Sequence, residues 1–140
     1  MIDLYTWHTP NGRKVSIMLE EIGMPYNTFP INIAKDEQFQ PHFLEVSPNN
    51  RIPAIVDKEN NNYSLFESGA ILMYLAEKSG MLVNKSNSDE YYRTIEWLMW
   101  QMGGVGPMFG QVHHFVKYNK GKSAYAEERY SKDCLLYTSP

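Results

Sequence analysis

The first apolar alternation, Ile2-Asp3-Leu4-Tyr5, has the period of a strand and stops at Thr9-Pro10-Asn11-Gly12, a cluster of turn formers and helix caps. Beyond it Val15, Met18, Leu19 and Ile22 recur at i, i+3, i+4 and i+7. That spacing predicts a helix with Asn11 as N-cap and Gly23, followed by Pro25, as its stop. Phe29, Ile31 and Ile33 alternate again as a half-buried strand does, and Pro30 suits a sheet edge. The stretch 37–45 carries Phe39, Phe43 and Leu44 around Pro41, enough for a short irregular helix that Ser47-Pro48-Asn49-Asn50 would end. Ala54-Ile55-Val56-Asp57 and Tyr63-Ser64-Leu65-Phe66 read as a hairpin across the polar 58–62. Ile71, Leu72 and Leu75 then share one face of a helix that starts at Glu67-Ser68-Gly69 and stops at Gly80. The order is β-α-β-α-β-β-α. Right-handed crossover makes the first two strands parallel neighbours, and the hairpin adds an antiparallel pair. A small mixed sheet with helices on both faces is expected.

After Gly80 the periodicity lapses in Asn84-Lys85-Ser86-Asn87-Ser88-Asp89. We therefore expect an α/β domain over 1–80, a linker over 81–88 and the start of an all-α domain over 89–133. Tyr92, Ile95, Leu98, Met99 and Met102 form a helical stripe that continues less regularly through Met108, Phe109, Val112, Phe115 and Val116. Gly103-Gly104 and Gly106-Pro107 are expected to kink it. A last, short helix is expected over 126–130, entered from Ser123. The end, 134–140, abandons the preceding pattern and reads as a non-native tail of the kind a translated sequencing adapter leaves. Two incomplete helices cannot close a core, so the second domain is expected to be incomplete here.

Composition narrows the chemistry. With 140 residues, 43% hydrophobic and 21% charged, the chain is neither disordered nor collagen-like. Sixteen acidic against thirteen basic residues give a formal charge of -3, and only Lys117, Lys120 and Lys122 cluster, so nucleic acid is not an expected partner. No run approaches the roughly 18 apolar residues of a membrane span, and the N-terminus lacks the features of a signal peptide. A cytoplasmic protein with no membrane partner is expected. The single cysteine, Cys134, permits no intramolecular disulfide, no CxxC pair and no cysteine-rich zinc site. Any thiol chemistry must then be brought by a ligand. His113 and His114 are adjacent, so on a helix they point about 100° apart and make no metal pair; no metal is expected. Trp97 and Trp100 are expected on opposite sides of the long helix, and Met99, Met102 and Met108 as filler of irregular gaps.

Three loops could carry chemistry. In Arg51-Ile52-Pro53-Ala54, a proline stands immediately before a buried-looking strand. A cis Ile52–Pro53 bond would turn the Ile52 N–H and C=O outward, to pair with an extended peptide-like ligand; an ordinary turn proline accounts for the same residues. Glu67-Ser68-Gly69 stands at a strand-to-helix junction, where unpaired N–H groups favour a carboxylate or phosphate. There Ser68 could receive a ligand carboxylate and Glu67 its ammonium, or Ser68 could be a cap alone. Thr9 and Asn11 could donate hydrogen bonds to a thiolate at the start of the first helix, or serve only as caps.

Taken in order, Thr-Pro-Asn-Gly at 9–12, Leu-Glu-Glu at 19–21, Ser-Pro-Asn-Asn at 47–50, Ile-Pro-Ala-Ile-Val-Asp at 52–57 and Leu-Phe-Glu-Ser-Gly-Ala-Ile-Leu at 65–72 form one series. Gly103 to Pro107-Met108, Gly110-Gln111 and His113-His114-Phe115 extend it. The series resembles the glutathione S-transferase superfamily, in particular its Nu-class-like subgroup of bacterial disulfide-bond oxidoreductases and the related glutathione-binding domain of a yeast nitrogen-regulation prion protein. The resemblance covers roughly residues 1–133, and such a series in order is far more specific than any one motif.

The resemblance implies a thioredoxin-like first domain followed by an all-α domain, glutathione as co-substrate, and a homodimer. Carried over by position, Thr9 and Asn11 face the glutathione sulfur. Ile52, with Pro53, pairs its backbone with the cysteinyl unit, and Glu67 and Ser68 hold the γ-glutamyl end. Gln38 and Arg129 reach the ligand from the first and second domains. The superfamily's catalytic tyrosine has no clear counterpart, because Tyr5 lies within the first strand, where packing is expected. With no cysteine at the start of the first helix, glutathione itself must attack a disulfide, and a second glutathione resolves the product. Transfer to an electrophile or reduction of a peroxide would use the same thiolate. The expected activity is thus a glutathione-dependent disulfide reductase; a glutathione-binding regulatory domain with little turnover is the alternative.

Overall fold

Alternation sorts the strand residues onto two faces. In the computed structural model of the chain, which describes residues 1–138, Ile2 and Leu4 of β1 (Ile2–Thr6) and Ile55 of β3 (Ala54–Asp57) point to one face. There they meet Val15, Met18 and Leu19 of α1 (Pro10–Glu21) and Ile71, Leu75 and Ala76 of α3 (Ser68–Ser79). The intervening positions point the other way. Tyr5, Ala54 and, from β4 (Tyr63–Phe66), Phe66 pack with Ile31 and with Phe43 of the one-turn α2 (Pro41–Leu44). Each face thus has its own core, with α1 and α3 on one and α2 on the other.

The sheet order is β2-β1-β3-β4, with β2 (Tyr26–Pro30) at an edge. β1 and β2 are parallel, in register Ile2↔Tyr26 to Thr6↔Pro30, while β1–β3 and β3–β4 are antiparallel. This is the expected mixed sheet, and Pro30 sits at the end of its edge strand, where a missing N–H costs no ladder bond. Two details differ from the sequence reading. The second strand begins earlier and does not reach Ile33, because Asn32 Oδ1 accepts from the Ala34 N–H at 3.0 Å and starts a 3₁₀ turn. The N-cap of α1 is Thr9, not Asn11: Thr9 is extended, and its Oγ1 accepts from the Gly12 N–H at 3.2 Å.

The chain divides into two compact units, Met1–Asn87 and the part from Ser88 onward. In the second, α4 (Ser88–Trp100) and α5 (Gly106–Val112) are joined by a π-helical stretch, Gln101–Val105, and another, His113–Tyr118, follows. Pro107 near the start of α5 has no N–H to return to the preceding turn, and the Gly106 N–H bonds to the Gln101 carbonyl five residues back. The glycine-proline region expected to kink the helix therefore widens it. The last helix is longer than expected: α6 runs Ala124–Thr138, with Ser123 Oγ accepting from the Ala126 N–H at 3.3 Å. It passes through Cys134, while Ser139 and Pro140, the end of the expected non-native tail, lie outside the described residues. Trp97 and Trp100, expected on opposite sides of the helix, instead meet edge to face with ring centroids 5.2 Å apart. Among the described residues no helix is long and apolar enough to cross a membrane.

Candidate functional site

Sheet register decides which loops share an end of the first unit. Thr6 pairs with Pro30, Tyr5 with Ala54, and Ala54 with Phe66. The segments that carry Thr9 and Asn11 after β1, Gln38 after β2, Ile52 and Pro53 before β3, and Glu67 and Ser68 after β4 therefore all leave the sheet at one end. That end lies at the carboxyl ends of the parallel strands, where open α/β sheets place their ligands. Seven of the eight residues named from the sequence are gathered there. The eighth, Arg129, belongs to α6 of the second unit, where the Tyr125 hydroxyl one turn back, and then the charge of Asp133, favour its guanidinium.

At α1, Thr9 spends an acceptor position on the Gly12 N–H, while Asn11 lies in the first turn with its side chain exposed. Gly12 is there because nothing larger fits: a Cβ would run into Thr6 Oγ1 and the Trp7 carbonyl. That carbonyl also accepts from the Thr9 N–H at 2.7 Å, so the loop is held tightly against the end of β1. Tyr5 stacks on Phe29 with centroids 5.0 Å apart and contacts Phe43, which makes it a packing residue.

Before β3, the buried Ser47 donates its hydroxyl to the Arg51 carbonyl at 2.8 Å and so fixes the approach to Ile52. The Ile52–Pro53 peptide is cis. None of the backbone bonds of the described turns and loops uses the Ile52 N–H or carbonyl. Gln38 sits in a 3₁₀ turn, Glu37–Phe39, and its buried Oε1 finds no hydrogen-bond partner among the described residues.

At α3, Glu67 occupies the N-cap with φ 73 and ψ 113, a left-handed conformation that costs a side-chain-bearing residue about 1–3 kcal/mol. Its carbonyl still accepts from the Ile71 N–H at 2.9 Å and opens the helix. Ser68 follows, only 3% exposed. One neighbour went unnoticed in the sequence: Lys14 of α1 places its Nζ 3.3 Å from Ser68 Oγ. Partial burial lowers the Lys14 pKa below its ordinary range, with Glu67 pulling the other way. Such a residue on an amphipathic helix reads as a solvated charge, and the partner 54 positions away is visible only once α1 and α3 lie side by side.

A cavity of about 220 Å³ opens beside the first turn of α1, lined by Thr6, Trp7, His8, Gly12, Arg13 and Ser16 among others; none of the eight residues named from the sequence lines it. Among the described residues no group of three or more His, Cys, Asp or Glu side chains is placed to hold a metal ion.

An α/β unit of this topology, with capping hydroxyls at two helix starts and a proline-led strand between them, belongs to the thioredoxin-like class. Residues 1–77 match the model of the glutathione S-transferase N-terminal domain, and the chain belongs to that family. It is 49% identical over 134 residues to the disulfide-bond oxidoreductase YfcG of Escherichia coli, covering 93% of this chain and 62% of that protein. The protein URE2 of Candida albicans is 38% identical over 129 residues, covering 89% of this chain and 38% of that one. Among solved structures, a glutathione transferase family member from Pseudomonas fluorescens with two glutathione bound superposes with a TM-score of 0.90. It is 51% identical, over 95% of this chain and 60% of its own. The chain thus spans less than two thirds of the length of each of these proteins.

Proposed function

We propose that the chain is the glutathione-binding part of a cytoplasmic, homodimeric, glutathione-dependent disulfide-bond oxidoreductase in which bound glutathione supplies the nucleophile. The observation that carries this reading is the start of α1. Thr9 caps the helix and Asn11 is exposed in its first turn, at the position where a thiol-dependent enzyme of this class would need its own cysteine. The only cysteine of the sequence, Cys134, lies in the other unit.

In this reading the hydroxyl of Thr9 and the amide of Asn11 donate to the glutathione sulfur and favour its thiolate. The Ile52 backbone pairs with the cysteinyl unit in the manner of an added strand, with Pro53 shaping the loop. Ser68 and the N–H groups at the start of α3 hold the γ-glutamyl carboxylate, and Glu67 its ammonium. Gln38 and Arg129 add contacts from the first and second units. The thiolate attacks one sulfur of a small disulfide; that S–S bond breaks, and the departing sulfur leaves as a thiolate and takes up a proton. A second glutathione thiolate attacks the glutathione sulfur of the mixed disulfide, giving glutathione disulfide and the second reduced half of the substrate. Two glutathiones are thus oxidised for each disulfide reduced, which agrees with the relative whose structure holds two glutathione. The same thiolate supports transfer to small electrophiles or reduction of peroxides as side activities.

The test is glutathione-dependent reduction of a small model disulfide by the wild type and by the double variant Thr9→Ala/Asn11→Ala. Loss of turnover with glutathione binding retained supports the reading; tight binding without turnover in the wild type itself would favour a regulatory domain.

A further inference from the structure

We infer that Lys14 is a positioning residue for the anionic end of the ligand: through Ser68 it makes the start of α3 selective for a molecule that bears a carboxylate beside its ammonium. This rests on the glutathione reading above and assigns a role to a residue outside it.

The chemistry of the two partners sets the direction of their bond. A lysine ammonium has donors and no acceptor, so at 3.3 Å it donates to Ser68 Oγ, and the hydroxyl meets Lys14 with a lone pair. The Ser68 proton therefore points away from Lys14. A serine held in this way faces its remaining surroundings as a donor, the orientation an anion requires. Ser68 is 3% exposed and stands in the first turn of a helix of 12 residues, whose N-terminal dipole also favours negative charge. Beside it Glu67 is held at φ 73, the kind of strained backbone that clusters at ligand sites.

Charge balance gives the same answer. Glu67 and Lys14 are electrostatically coupled, one anion and one cation on either side of Ser68. A γ-glutamyl group carries the complementary pair, an ammonium for Glu67 and a carboxylate for the Ser68 side. Lys14 is partly desolvated by its position between α1 and α3, so an anion brought next to Ser68 is less screened from its charge than it would be at an open surface. Its four-carbon stem lies in the α1–α3 seam, so a variant that keeps the stem separates the role of the charge from that of the packing.

The experiment measures binding of glutathione and of its analogue lacking only the glutamyl α-carboxylate, 4-aminobutanoyl-cysteinyl-glycine, by calorimetry. The proteins are the full chain, Lys14→Met, Lys14→Arg and Ser68→Ala. Lys14→Met should weaken glutathione binding roughly tenfold, as expected for a lost charge-assisted contact, while leaving the analogue within about twofold of the wild type. Lys14→Arg should recover most of the loss. Lys14→Met added to Ser68→Ala should cost little more than Ser68→Ala alone, because the two act as one unit. Equal weakening of both ligands, or glutathione binding unchanged in Lys14→Met, overturns the inference while leaving the glutathione reading intact. Failure of the wild type to bind glutathione overturns both.

Discussion

The Tyr74 hydroxyl donates to Asp57 Oδ2 at 2.5 Å, and Lys78 Nζ lies 2.8 Å from the same oxygen. Asp57 ends β3 with no exposed surface, and its Oδ1 accepts from the Glu59 N–H at 3.0 Å. Burial alone would raise its pKa, but Lys78, Tyr74 and the Glu59 N–H together outweigh that and hold it below the usual carboxylate range. Lys78 and Tyr74 both belong to α3, so this cluster pins the helix that presents Ser68 to the hairpin beneath it.

Because the folded pKa of Asp57 is depressed, the folded state releases its proton more readily than the unfolded chain does. The resulting stabilisation is complete above the unfolded value of about 3.9 and is lost as pH falls below it through the folded value. Urea midpoints of the wild type should therefore fall more steeply than those of Asp57→Asn between neutral pH and about pH 3. Parallel slopes would place the acid sensitivity elsewhere. Tyr74→Phe, which removes one donor to the buried carboxylate, should cost about 1–2 kcal/mol at neutral pH.

Gly12→Ala should destabilise by roughly 1–3 kcal/mol, since its Cβ displaces either Thr6 or the backbone at Trp7. That shift moves the first turn of α1, so turnover should fall further than stability accounts for when measured well below the melting temperature.

Much of this fold was legible in local pattern. The β3–β4 hairpin and α3 matched at their ends because Asn61 and Asn62 supply left-handed turn residues and Gly80 a left-handed helix stop. What escaped was set by non-local partners or by competing caps. The start of β2 depends on register with β1, which alternation within β2 does not encode. The N-cap passed to Thr9 because Pro10 can occupy the first helical position and needs no donor. The α6 start at Ala124 follows from Ser123 as its cap rather than from a hydrophobic stripe. For the candidate site, Glu67 and Ser68 were visible as junction chemistry, but the left-handed backbone of Glu67 has no sequence signature in a non-glycine residue.

Glu67→Gly isolates that strain. Glycine adopts φ 73 freely, so this variant should gain about 1 kcal/mol in thermal or urea unfolding while binding glutathione more weakly. A variant that is both more stable and as tight a binder would remove the Glu67 side chain from the ligand site.

Thr9 and Asn11 should separate by the same pair of measurements. Thr9→Ala loses a helix cap and about 1 kcal/mol, which Thr9→Ser restores. Asn11→Ala, at an exposed side chain, should stay within about 0.5 kcal/mol of the wild type yet turn over more slowly. Equal rates in Asn11→Ala and the wild type would take Asn11 out of the mechanism.

The claim that glutathione, and no thiol of the protein, is the nucleophile meets its most direct test in Cys134→Ser, which leaves a chain without any cysteine. Glutathione-dependent reduction of a small disulfide should proceed in this variant at the wild-type rate. A collapse of that rate, or a mixed disulfide trapped on Cys134 of the wild type during turnover, would contradict it.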